Sequence, residues 1–196
     1  MYLISIYFDE NTNMKIKQYI RQIAKSTGNT FMMDNKVPPH ITISAFSAEK
    51  EESVISMLEK QAEKLKQDSL QWVSVGMFLP YVMYLMPVLN EYLHTISQKI
   101  YDNLVKLEDV EISRFYRPFQ CIPHTTVGKK LSKEEMEVAF CVVQNQFGVF
   151  EGRVTHIGLA KTNPYKEIAV FELTDDCKNT KRKMESLCHI LNLRKL

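Results

Sequence analysis

The chain has 196 residues, of which 45% are apolar and 24% charged, and its formal net charge is +2. Such a chain is long enough to fold as one domain, or two small lobes sharing a core, without a metal or a disulfide. The scarcity of Gly (6) and Pro (7) excludes a long disordered linker, and the charge lacks the basic excess of a protein that grips duplex nucleic acid by its phosphates.

In chain order, "YLISIYFD" alternates Tyr2, Ile4, Ile6 and Phe8 against Leu3, Ser5 and Tyr7, which predicts a strand. Met14, Ile16, Ile20 and Ile23 then fall near helical spacing, and the helix stops at Gly28. "HITISAF" reads as a strand. The next helix is expected to be capped by Ser47, with acids in its first turn and Val54, Ile55, Leu58, Ala62 and Leu65 as its apolar stripe. "LQWVSVGMFL" is the third strand.

The same order then begins again. "YVMYLMPV" is strand-like, and Leu89, Leu93, Ile96, Ile100 and Leu104 mark a helix. "CIPHTTVGK" is a strand, and Ser132 and Glu135 form a capping box ahead of another helix. "VTHIGLAKT" and "KEIAVFELT" are two more strands around a turn at "NPY". The expected organisation is therefore a single α+β unit over 1–175, made of two similar halves at about 1–80 and 81–175. The tail, 176–196, reads as a basic amphipathic helix, with Met184, Leu187, Cys188 and Leu191 on one face.

The first ten residues show no basic stretch and no cleavage site, so no signal peptide is expected. The apolar stretch "VGMFLPYVMYLMPVL" is broken by Pro80 and Pro87 and is too short to span a bilayer. A cytoplasmic protein with no membrane contact is expected. Cys121, Cys141, Cys177 and Cys188 form no C-x-x-C pair and read as free, mostly buried thiols.

Each half carries one copy of a short pattern: "PPHIT" ending at Thr42 and "IPHTT" ending at Thr126, with the histidines 84 positions apart. On a strand, residues i and i+2 share a face. His40 therefore projects with Thr42, with Ser44 beyond, and His124 projects with Thr126. If the halves pack about a pseudo-twofold axis, two imidazoles and two hydroxyls converge on one cleft. Two imidazoles can hold one proton between them near neutral pH, one acting as base and the other as acid. Two hydroxyls can donate to the non-bridging oxygens of a phosphodiester as charge builds there.

The paired motifs resemble the H-x-[ST] signature of the 2H phosphoesterase superfamily, which includes bacterial 2′-5′ RNA ligase-like proteins and cyclic nucleotide phosphodiesterases. The resemblance covers residues 1 to about 175 in element order. It implies a bilobal α+β fold around a central cleft, catalysis by His40, Thr42, His124 and Thr126, no metal and no other cofactor. The implied partner is a nucleotide or RNA carrying a 2′,3′-cyclic phosphate or a 2′-5′ linkage. The second copy departs from the family pattern in having "GKK" after Val127, with no aromatic.

The segment "SRFYRPF" mixes Arg114 and Arg117 with Phe115 and Tyr116, residue types that pair with phosphate and stack on bases. These four and Lys129 are expected to contact substrate. His94 and His156, which lack the Thr two residues on, are expected to be structural. No spacing of His, Cys or Asp suits a zinc site, and no glycine-rich phosphate loop is present. Two alternatives carry the same residues: a module that holds nucleotides or RNA ends without turnover, and 2′-5′ end-joining as the reverse reaction.

Overall fold

The computed structural model describes residues 1–162 and 164–175. The tail helix expected over 176–196 lies outside the described residues. Eight strands, β1 (Tyr2–Phe8), β2 (His40–Ala48), β3 (Asp68–Phe78), β4 (Val82–Pro87), β5 (Val110–Ile112), β6 (Thr125–Gly128), β7 (Phe150–Lys161) and β8 (Lys166–Glu172), form one antiparallel sheet. The helices are α1 (Glu10–Thr27), α2 (Phe31–Asp34), α3 (Glu51–Ala62), α4 (Glu91–Leu104) and α5 (Lys133–Gln146).

Local chemistry sets most of the boundaries. The Asp9 carboxylate accepts the Thr12 N–H at the start of α1, and Gly28, at φ 78°, ends it in the left-handed region that glycine enters without strain. Asn90 caps α4, and Ser132 with Glu135 closes the expected capping box on α5. Ser47 does not cap α3. It stays in β2, because β5 pairs with Phe46, Ser47 and Ala48, and α3 starts at Glu51. Met14 and Leu89 leave their predicted stripes: both are exposed, and Leu89 precedes α4. Cys141 is also exposed, on the face of α5 opposite Met136, Ala139 and Val143, and Cys121 is half-buried.

The sheet order is β5-β2-β1-β7-β3-β4-β6, with β8 on β7. Without β5 and β8 this order is unchanged when β1 is exchanged with β4, β2 with β6 and β3 with β7. The pairings reveal a strand exchange between the halves. β1 and β2 of the first half are joined by β7 of the second, while β4 and β6 are joined by β3 of the first. The helices cross over too: α1 packs on α5 and β6, and α4 packs on α3 and β2. Trp72 of β3 and Phe150 of β7 stack at 5.0 Å where the halves meet, and Phe8 meets the Trp72 ring edge-on.

Candidate active site

Both motifs are built alike, beyond what the tripeptide predicts. In each, the imidazole Nδ1–H donates to the carbonyl two residues back: His40 to Pro38 at 2.8 Å and His124 to Ile122 at 2.8 Å. Each accepting residue precedes a proline, Pro39 or Pro123. Proline holds its own φ near −65° and keeps the preceding residue extended, which presents that carbonyl to the ring. Because a carbonyl only accepts, the proton sits on Nδ1 and each Nε2 is left for proton transfer.

A second shared device follows each threonine. Thr42 lies opposite Ser5 and Ser44 opposite Ile4, so Ile43 is an extra residue in β2. Thr126 lies opposite Tyr84 and Gly128 opposite Met83, so Val127 is the matching extra residue in β6. These bulges restart the alternation just past each threonine. Ser44 therefore shares the core face with Ile4 rather than the face of His40 and Thr42, and its buried hydroxyl has no partner.

Neighbouring strands complete the surroundings. Tyr7 lies directly opposite His40 on one side and His156 on the other, so the three share a face. The Tyr7 and His40 rings are 6.2 Å apart. The Tyr7 hydroxyl is pushed well above the ordinary phenol range, first by burial and then by the neighbouring Tyr165 hydroxyl and the Glu167 charge. Around His124, the Tyr84 ring lies at 5.3 Å and the Phe78 ring meets it edge-on at 4.8 Å. Thr125, on the opposite face of the motif, accepts a buried hydrogen bond from the Trp72 indole at 3.2 Å, which anchors β6 to the core.

The histidines are electrostatically linked. Burial lowers the His40 pKa, the bond to Pro38 opposes this, and the positive charges of His124 and Lys129 lower it further. His124 is lowered by burial against its bond to Ile122. Cα atoms of β2 and β6 come within 8 Å of each other. The structure thus brings together His40, Thr42, His124, Thr126 and Lys129.

It places Arg114 and Arg117 elsewhere. Arg114 and Arg117 line a 460 Å³ recess with Phe46, Ser47 and Glu111, at the C-terminal end of β2. His40 starts that strand, so the recess is about 20 Å away along it. Phe115 is exposed beneath the Arg114 guanidinium, and Tyr116 is half-buried near Cys121, which lines a pocket with Thr42 and Pro123. The segment is held there by the Ser113 N–H, which donates to the Ala45 carbonyl at 2.8 Å. His94 lies against Phe119, with ring centroids 3.9 Å apart and planes tilted by 32°, and the two line a pocket with Thr42 and Pro123. Tyr7, Tyr84 and Phe78 were not singled out by the sequence, since only strand register brings them beside the motifs.

Among the described residues no group of three or more His, Cys, Asp or Glu side chains is placed to hold a metal ion, and no helix is long and apolar enough to cross a membrane. The family model of the 2′-5′ RNA ligase superfamily matches residues 14–165. The chain belongs to that superfamily. Membership assigns it to phosphoesterase or RNA-end chemistry. No curated protein matches the chain in sequence. Its fold is similar to that of TT0787 of Thermus thermophilus (TM-score 0.58, 12% identity, 89% of this chain and 98% of that one). It is also similar to E. coli LigT complexed with 3′-AMP (TM-score 0.57, 16% identity, 88% and 97%) and with NADP+ (TM-score 0.50, 18% identity, 88% and 97%). At these identities the likeness bears on fold alone, and it agrees with the α+β, antiparallel architecture.

Proposed function

We propose that the chain is a metal-independent phosphodiesterase that hydrolyses 2′,3′-cyclic phosphates or 2′-5′ linkages of nucleotides or RNA. The observation that carries this reading is the matched pair of imidazoles, each tied at Nδ1 to a carbonyl ahead of a proline. One Nε2 takes a proton from water as the water oxygen bonds to phosphorus. The other imidazole, protonated, gives its proton to the ribose oxygen as the P–O bond breaks. The Thr42 and Thr126 hydroxyls donate to the non-bridging oxygens, and Lys129 adds positive charge nearby.

A nucleotide substrate is supported by the superfamily membership and by the nucleotides held by E. coli LigT in its structures. End-joining uses the same groups in reverse and is the second reading, favoured by the family's name. A binding module has no use for two imidazoles with fixed tautomers. Arg114 and Arg117 would meet the substrate only if it spanned the length of β2.

The test is a turnover screen in EDTA with 2′,3′-cyclic nucleotides, 2′-5′ and 3′-5′ oligonucleotides, and RNAs ending in a cyclic phosphate. Cleavage of a cyclic phosphate or a 2′-5′ linkage is expected. Binding without turnover, or turnover lost in EDTA and restored by a divalent metal, would overturn the proposal.

A further inference from the structure

Behind His40 lies a recess of about 280 Å³ between α1 and the segment that leads into β2. Lys17 and Arg21, one helical turn apart on α1, line it with Lys36, and all three are exposed. Met32, Met33 and Pro38, with Ile20 and Val37, supply its apolar lining. No carboxylate lines it. Asp34, the acid nearest in sequence to Lys36, accepts from the Thr30 hydroxyl at 2.6 Å, and Glu135, beyond Lys130, accepts from Asn29 and from the Ser132 N–H.

The recess is continuous with the candidate site through one residue. Pro38 lines it and also holds His40 through its carbonyl. On the site's side, Lys129 acts on His40, and the Lys130 ammonium lies 4.5 Å over the Phe31 ring, at the start of the short helix that supplies Met32 and Met33. Five cations therefore run from the histidine pair along one wall of the molecule. Among the described residues none of the five makes an ion pair. A mononucleotide held at the histidines has no phosphate to offer Lys17, Arg21 or Lys36. A strand has one for each further nucleotide.

We infer that the substrate is a single-stranded oligonucleotide whose backbone runs from the histidine pair over Pro38 into the Lys17–Arg21–Lys36 recess. This rests on the phosphodiesterase reading and narrows its substrate. The phosphates pair with the cations, and the methionines and Pro38 take the apolar faces of a base or ribose.

The test compares 2′,3′-cyclic AMP with a ten-nucleotide RNA ending in a 2′,3′-cyclic phosphate, in the wild-type chain and in a Lys17→Gln, Arg21→Gln, Lys36→Gln triple variant. Binding of the same RNA with a plain 3′-hydroxyl is followed in parallel by fluorescence anisotropy. For three lost phosphate contacts on a single strand, the slope of log affinity against log salt should shrink by about 2. The kcat/KM for the RNA should fall by about tenfold or more, since affinity at moderate salt falls with those contacts, while cyclic AMP turnover stays unchanged. A triple variant that binds and cleaves the RNA like the wild type, or loses both substrates equally, overturns the inference. If the wild-type chain turns over neither substrate, the phosphodiesterase reading fails, and the anisotropy slope still decides the recess. Thermal unfolding of the triple variant at the wild-type temperature shows that the fold is kept.

Discussion

Replacing Gly76 by Ala probes how tightly the surroundings of His124 are determined. An ideal Cβ at Gly76 would lie 2.4 Å from Cζ, 2.5 Å from Cε2 and 2.5 Å from the hydroxyl oxygen of Tyr84. Non-bonded carbons rest at about 3.5 to 4.0 Å, so the ring must move by roughly 1 Å or more. It has little room to do so: Tyr84 is only 6% exposed, and its ring is packed against Phe78 at 4.4 Å and His124 at 5.3 Å. Overpacking of this kind costs about 1 to 3 kcal/mol. A displacement of about 1 Å passed on to a reacting group can lower its rate by about 10². Gly148→Ala is the control, since a Cβ there meets nothing within 4 Å. Steady-state kinetics on the substrate found in the screen, with thermal unfolding of both variants, would measure the effect. The expected result is a lower melting temperature and a fall in kcat for Gly76→Ala, and neither for Gly148→Ala. Wild-type kcat and stability in Gly76→Ala would mean that the Tyr84 ring, 5.3 Å from His124, does not fix the imidazole's position.

Lys129→Gln removes a positive charge that lowers the His40 pKa, so the pH–rate profile should move to higher pH; an unmoved profile would place Lys129 outside the site's field. Both imidazoles have lowered pKa values in the fold, so the unfolded chain binds more protons between those values and the usual one near 6.5. Stability should therefore fall as the pH drops from about 6.5 through the lowered values, and His40→Ala should flatten that dependence in a melting series. Trp72→Phe leaves the buried Thr125 hydroxyl without its indole donor and should cost about 1 to 3 kcal/mol in denaturant unfolding. A smaller loss would mean that another donor replaces the indole.

The periodicity of Ile4, Ile6 and Phe8, and of Leu93, Ile96 and Ile100, was enough to read most elements, because burial of those side chains decides the element type. β5 was not legible: three residues with one buried neighbour strand leave no periodic trace, and their pairing is what keeps Ser47 out of the α3 cap. The motif histidines were visible as a repeat. Their prolines were visible too, but the role of each preceding carbonyl needed the ring geometry. The bulges at Ile43 and Val127 were hidden, because an extra residue is defined only against a partner strand. That is why Ser44 was placed on the wrong face. The Arg114–Arg117 cluster has the composition of a nucleotide-contacting loop, but Ser113 fastens it to Ala45, at the far end of β2 from His40.

The most direct test of the central claim is the pH–rate profile of kcat in EDTA for the wild-type chain, His40→Ala, His124→Ala and the double variant. If one imidazole gives a proton while the other takes one, the wild-type profile is a bell whose two apparent pKa values belong to the pair. Each single variant should lose roughly 10² to 10⁴ in kcat together with one limb of the bell. The double variant should lose less than the product of the single losses, because the two groups work as a unit. Full activity in either single variant, or a bell that survives the loss of a histidine, would contradict the account.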